Sequence, residues 1–466
     1  MNANNRVFVV ACLALAPTAF VPAQPAEPPA PGAPRELRLP QPTKMQLDNG
    51  MRATLVEYGS LPKVTVQLVV RSGELNAGDR TWLAQFTGEL MQEGTQQRGA
   101  SEVADLAAAL GGQVSVTVSL DTTTISGDVL AENAPQLIEL IGEIARTPAL
   151  PEAETERIRG DLLRALTVAK SQAQAQAREA FLRQVYGAGH PYGRPYPTEE
   201  QLASYSAEDA RAFHGANFGA QRSHLYVAGK FDADAVKGAI DRVFGDWQSG
   251  PAMLVDVPPT VATRAVVLLD RPGAPQSTVI LGLPVVDPSN PDYVPLQVMN
   301  SLLGGSFGSR ITANIRENKG YTYSPRSELN NNYKVATWAE LADVTSEHTA
   351  DSLAEILAEI SRLKAEPPPA EELQGIKNYM SGVFVLGNSD RSSIIGVLRY
   401  ADLHGLADDY LNTYLERVAA VTPEEVSRLA AEYLPTDDLI LVVVGDLKTV
   451  KPQLAGLSWI GESDLN

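Results

Sequence analysis

The feature that most constrains this 466-residue chain is that it repeats itself once, at an offset of 216 residues. A helical apolar stripe, Leu137, Ile141 and Ile144, recurs as Leu353, Leu357 and Ile360. The helix start Ser206-Ala207-Glu208-Asp209, a hydroxyl followed three residues on by a carboxylate, recurs as Thr422-Pro423-Glu424-Glu425. An apolar strand ending in Gly229 has its counterpart in one ending in Gly445. Leu137 to Leu353, Ser206 to Thr422 and Gly229 to Gly445 are each the same 216 residues apart. One duplication of so long a period specifies two related domains, because solenoid repeats are much shorter.

Inside the first copy, Val64, Val66, Leu68 and Val70 alternate with other residues, and so do Val114, Val116, Val118 and Leu120. That period belongs to half-buried strands, and long helical patterns lie between and after them. Each copy therefore reads as an α+β domain, a mostly antiparallel sheet covered by helices on one face. Pro-rich sequence marks the borders: residues 24–43 form a tether, and Ser249-Gly250-Pro251 with Pro258-Pro259 opens a linker over 249–264. The domains are expected over 44–248 and 265–466.

The N-terminus carries Arg6, an apolar run from Val7 to Val21, and the small-residue pattern Val21-Pro22-Ala23, which predicts a secretory signal over 1–23 and a periplasmic or secreted mature chain. The only cysteine, Cys12, lies within it. Val9-Val10-Ala11-Cys12 has the look of a lipoprotein cleavage box, but the apolar run continues past the cysteine. A formal net charge of −18 argues against nucleic acid as a partner, since phosphate binding needs clustered Lys and Arg. No later stretch is long and apolar enough to predict a membrane span.

The segment Leu83 to Thr95 predicts a short amphipathic helix ending at Gly94, with Trp82, Phe86 and Leu90 on one face and Gln85 and Glu89 on another. Further on, Gly304-Gly305-Ser306-Phe307-Gly308 predicts a flexible loop, Ser309 to Asn318 a helix, Gly320 its left-handed stop, and Tyr321 to Ser324 the start of a strand ended by Pro325. With Arg71-Ser72-Gly73, Gly111-Gly112 and Pro191-Tyr192-Gly193-Arg194-Pro195, these segments resemble the insulinase/pitrilysin family of metallopeptidases, including the mitochondrial processing peptidase and two-subunit bacterial members. The resemblance implies a clam-shell arrangement of the two domains.

Active members of that family carry H-x-x-E-H on the first of these helices, two zinc ligands and a general base. The matching positions here are Gln85, Gly88 and Glu89, a set that lacks both imidazoles and the base. The family's third ligand, a Glu, falls here on Leu162-Leu163-Arg164-Ala165-Leu166, with Asp161 the nearest carboxylate. His190, His214, His224, His348 and His404 show no ligand spacing. No zinc is expected on this chain.

Arg316 and Tyr323 match the family's arginine-and-tyrosine pair. The resemblance gives Arg316 the role of holding a substrate carbonyl, Tyr323 that of donating to the oxyanion, and the Gly304, Gly305 and Gly308 segment contact with substrate. It implies the zinc-lacking subunit of a heterodimeric metalloendopeptidase, with zinc on a homologous partner subunit and a peptide substrate. The alternatives are a structural core-type subunit and a peptide-binding module that uses exposed sheet edges without proteolysis.

Overall fold

The computed structural model describes residues 41–465. The expected signal, Cys12 and nearly all of the Pro-rich tether lie outside these residues. Among the described residues no helix is long and apolar enough to cross a membrane.

Two mixed sheets organise the chain. The first contains β1 (Thr43–Gln46), β2 (Arg52–Glu57), β3 (Lys63–Val70), β4 (Val114–Val118), β5 (Thr123–Leu130) and β6 (Ser223–Gly229), in the order β1-β2-β6-β3-β5-β4. The second contains β7 (Ala265–Asp270), β8 (Gln276–Val285), β9 (Arg326–Asn332), β10 (Val335–Thr345) and β11 (Ile440–Gly445), in the order β7-β11-β8-β10-β9. Without β1 the two orders are the same, and so are the directions: β2 is parallel to β6 as β7 is to β11, and the other pairs are antiparallel. The duplication read from the sequence is thus a duplication of topology.

The helix starts repeat too. Ser206 Oγ accepts from the Asp209 backbone N–H at the head of Ala207–Asn217, and Thr422 Oγ1 accepts from Glu425 at the head of Pro423–Tyr433. Each such cap satisfies an N–H that the first helical turn leaves unpaired, worth about 1 kcal/mol.

Alternation along the strands builds two cores per half. Val64, Val66, Leu68 and Val70 of β3 face the helix layer, where Leu137, Ile141 and Ile144 of Ala134–Arg146 pack against them. In the second half Val279, Leu281 and Leu283 of β8 meet Leu353, Ile356 and Ile360 of Thr349–Ala365.

The opposite face of each sheet is not bare. It is covered by a helix from the other half. Phe181, Val185 and Tyr186 of Ala173–Tyr186 pack on Ile280 and on Ile440, Val442 and Val444 of the second sheet. Ile394 and Ile395 of Arg391–His404 pack on Val56, Val69, Tyr226 and Ala228 of the first. These crossing helices occupy equivalent places in the two copies, so the shells of the clam are joined by a reciprocal exchange. β11 is apolar on both faces because each face meets a core of its own. Between the halves, the chain after Phe244 runs without a regular element to Ala265, with Val257 and Ala262 packed against the second sheet.

Candidate functional site

The first candidate segment forms the helix Leu83–Met91, shorter than the sequence pattern predicts, and Gly94 turns the chain just beyond it with φ +107. Phe86 and Leu90 are fully buried and anchor it in the first core. Trp82 packs partly buried against the same core. It holds the N-cap in a left-handed conformation, φ 67, and its indole donates to the Pro195 carbonyl at 2.9 Å. The Glu74 carboxylate caps the helix from outside, accepting from the backbone N–H groups of Trp82 and Gln85, both at 2.8 Å. Burial raises Glu74 to about 7 despite those two bonds.

Gln85 and Glu89 share a face as expected, one turn apart, but they bond to each other: the Gln85 amide donates to Glu89 Oε1 at 2.9 Å. At Gly88 a Cβ would stand 2.5 Å from Val118 Cγ2. The neighbouring strand β4 therefore fills the space that a general base would need. Asp161, the nearest carboxylate to the third ligand position, is ion-paired with Arg157 at 3.1 Å and with Arg164. Leu162 and Leu166 beside it are core residues. Among the described residues no group of three or more His, Cys, Asp or Glu is placed to hold a metal ion. The donor set at Gln85, Gly88 and Glu89 does not fit zinc: one amide, one carboxylate bound to it, and a methyl group where the base would project.

The second candidate segment departs further from its expected form. The helix Tyr293–Asn300 continues through Ser301–Gly305 as a π-helical turn, so Gly304 and Gly305 are helical and only Ser306 to Ser309 form a turn. A Cβ at Gly304 would lie 2.6 Å from Ser327 Oγ and 2.7 Å from Glu340 Oε2, and one at Gly305 would lie 2.5 Å from Asn300 Nδ2. These two glycines admit close packing, while Gly308 has open space around it. The next helix begins at Arg310 and is π-helical over Thr312–Asn318, and Gly320 ends it with φ +68.

Tyr323 is not on a strand: Thr322 makes one isolated bridge to Val344, and β9 starts at Arg326, after Pro325. The ring of Tyr321 stacks on His348 at 4.3 Å, and Thr322 Oγ1 donates to the Asp343 carbonyl at 2.8 Å. The two anchors point Tyr323 outward, where it is 78% exposed.

Arg316 and Tyr323 are brought together. The guanidinium carbon of Arg316 lies 4.9 Å from the Tyr323 ring and 4.4 Å from the ring of Phe307, itself 71% exposed. Two exposed aromatic rings thus hold one cation, an arrangement worth about 0.5–1 kcal/mol per contact at an exposed site. Among the described residues, Arg316 forms an ion pair with its neighbour Glu317, at 3.2 Å. Among the described residues no hydrogen bond or aromatic contact joins this cluster to Gln85 or Glu89.

Four residues of these segments have site roles that the sequence analysis did not assign. Glu74 caps the first helix, and Val118 fills its vacant position. Phe307 flanks Arg316. Glu340 lies behind Gly304, buried and with no side-chain hydrogen-bond partner among the described residues, and burial holds its carboxyl well above the usual range. Only Phe307 could have been singled out, as a large apolar residue between two glycines.

Comparison with known proteins accords with this geometry. Residues 54–196 match the family model for insulinase, peptidase family M16, and residues 204–380 match that for the peptidase M16 inactive domain. The uncharacterized zinc protease YmxG of Bacillus subtilis is 23% identical over 404 residues, 85% of this chain and 96% of that relative. The non-peptidase homolog YmxG of Helicobacter pylori is 22% identical over 399 residues, 84% of this chain and 91% of its own. In fold, the chain superimposes on the crystal structure of a peptidase M16 inactive domain from Pseudomonas fluorescens with a TM-score of 0.80 at 20% identity, covering 87% of this chain and 98% of that one. Two family models that together span most of the chain, a shared two-sheet fold and a first helix stripped of its ligands lead to one conclusion: the chain belongs to the insulinase family, peptidase family M16, and lacks that family's zinc motif.

Proposed function

We propose that this chain is the zinc-lacking subunit of an exported two-chain metalloendopeptidase, and that Arg316 and Tyr323 complete an active site whose zinc belongs to a homologous partner. The observation that carries this reading is asymmetric. The Gln85 to Glu89 helix has its ligand positions bonded to each other or filled by Val118, whereas Arg316 and Tyr323 are adjacent and open to solvent. A side chain kept only for packing has no reason to stand 78% exposed. The relative from Helicobacter pylori, named a non-peptidase homolog, supports the loss of autonomous activity.

In this role the Arg316 donor fork holds a substrate carbonyl and the Tyr323 hydroxyl donates to the oxyanion as the tetrahedral intermediate forms. Phe307 limits where the guanidinium can swing. The Gly308 turn, with open space around it, leaves room for an extended peptide. β4 and β9 are edge strands of their sheets, the position that the alternative of peptide binding without turnover would use.

The test is peptide cleavage by this chain mixed with a homologue that carries H-x-x-E-H, each also assayed alone. Neither the chain alone nor its zinc-site remnant should support turnover. In the mixture, Tyr323→Phe should slow cleavage about 10²–10³-fold, the cost of one oxyanion donor, with the complex intact by gel filtration. Arg316→Ala should raise KM as well as lower kcat, since a carbonyl clamp acts on ground state and transition state together. Wild-type turnover in both variants, with the complex intact, would leave the non-proteolytic reading ahead.

A further inference from the structure

The seam between the first sheet and the crossing helix Arg391–His404 holds a half-open pocket of about 220 Å³, distant in the chain from Arg316 and Tyr323. Three arginines line it: Arg52 from β2, Arg71 just after β3, and Arg399 from the crossing helix. They differ in how their charge is met. Arg52 is paired with Asp402 at 3.1 Å. Arg399 donates only to neutral acceptors, Gln67 Oε1 and Thr124 Oγ1, both at 2.9 Å. Arg71 lies 4.5 Å from the centre of the Tyr333 ring, and among the described residues its guanidinium makes no side-chain hydrogen bond or ion pair.

The remaining carboxylate on the wall, Asp121, is close enough for Arg71 to favour its charged form but makes no ion pair with it. Asp121 accepts from the Tyr192 hydroxyl on one oxygen and from the Tyr333 backbone N–H, at 3.2 Å, on the other. Arg391, on the same crossing helix but outside the cavity, shows the usual solution for such a site: it is paired with Asp128 at 2.7 Å and also donates to Thr65.

A half-buried cation is ordinarily met by a counter-charge, because withdrawing it even partly from water costs free energy that a carboxylate recovers. The wall thus carries three arginines and two carboxylates, and among the described residues neither Arg71 nor Arg399 makes an ion pair, which leaves one positive charge unmet in the cavity. Their planar donor forks suit the oxygens of a phosphate or a carboxylate. The cavity is below the size usual for drug-sized ligands, roughly 300–1,000 Å³, so the group it takes is small.

We propose that this cavity binds a small oxyanion, a phosphate or a carboxylate, held between Arg71 of the first half and Arg399 of the second. Because the two arginines come from different halves, the bound anion ties the crossing helix to the first sheet and stabilises the closed arrangement of the shells. Free anion raises the unfolding temperature by mass action, since the unfolded chain has no such site.

The experiment is isothermal titration of the full mature chain with inorganic phosphate and, separately, with succinate, at constant ionic strength, with thermal unfolding in parallel. The expected result is one saturable site per chain for at least one probe. Saturation by phosphate alone identifies a phosphate site, and saturation by succinate alone a carboxylate site. Arg399→Gln and Arg71→Gln should each weaken binding about tenfold or more, the loss of one charge-assisted bond. Arg391→Gln, which loosens the same helix and removes the same charge outside the cavity, should leave binding within about twofold, the scale of long-range screened charge. Absence of saturation by both probes up to about 10 mM, or equal weakening by Arg391→Gln and Arg71→Gln, overturns the proposal. Should Arg399→Gln fail to fold, Arg71→Gln decides alone, because the Arg71 side chain makes no hydrogen bond whose loss would unfold the chain.

Discussion

Replacing Gly88 by alanine should destabilise this protein, although the same change in most helices stabilises. In a helix interior alanine is favoured over glycine by about 1 kcal/mol. Here the new methyl would stand 2.5 Å from Val118 Cγ2, whereas carbon atoms pack best at about 3.5–4.0 Å. One of the two elements must move by about 1 Å, and overpacking of that kind costs about 1–3 kcal/mol. The net for Gly88→Ala is a loss of about 0–2 kcal/mol. Val118→Ala removes the obstructing methyl, so the double variant should recover the overpacking, with a coupling of about 1–2 kcal/mol between the two sites. Thermal unfolding of the four chains measures this, at about 2–4 °C per kcal/mol for a domain of this size. The zinc motif follows the same geometry. Gln85→His, Gly88→Glu and Glu89→His together should yield a less stable chain that retains no zinc after dialysis. Gly88→Ala raising the midpoint by the full helix-propensity gain, or the triple variant holding one zinc per chain at wild-type stability, would refute the argument.

Glu74 gives the folded chain a pH dependence. Its folded value of about 7 lies above the usual 4.5, so between those limits the folded state holds a proton the unfolded state has released. Stability from this group is full below pH 4.5 and declines by about 3 kcal/mol as pH rises to 7. Glu74→Gln should flatten that decline in thermal unfolding from pH 4.5 to 8, and parallel curves would count against it. Phe181→Ala should cost about 3–5 kcal/mol, as for a buried aromatic in a single core, because Phe181 packs on the other half's sheet. A loss below about 1 kcal/mol would mean that the crossing helix is only loosely docked.

The duplication, the paired helix caps and the alternating strands were legible because each rests on local chemistry: a hydroxyl three residues before a carboxylate, or a side chain on every second residue. The exchange of crossing helices was not. Ala173–Tyr186 and Arg391–His404 were not singled out, and which sheet an amphipathic helix covers depends on chain path, not on its own period. The π-helical turns at Ser301–Gly305 and Thr312–Asn318 were hidden for a related reason. A wider turn has no composition of its own, and Gly304 is glycine because Ser327 and Glu340 crowd it from elsewhere in the chain. At the candidate sites, the missing zinc ligands were plain from residue identity, whereas the plug at Gly88 required the position of Val118. Arg71 and Arg399 are far apart in sequence, and only the folded seam places them on one cavity.

The reciprocal helix exchange also sets a timetable for synthesis. When β6 has left the ribosome, the first sheet holds all six strands, yet the helix that covers its second face begins only at Arg391. At about 5–20 residues per second, Val56, Val69 and Tyr226 wait on the order of ten seconds or more for Ile394 and Ile395. Throughout that interval these residues lack the helix that covers them in the finished fold. A chain stopped at the linker lacks Ile394 and Ile395, so in the present protein the first half depends on the second to cover that face.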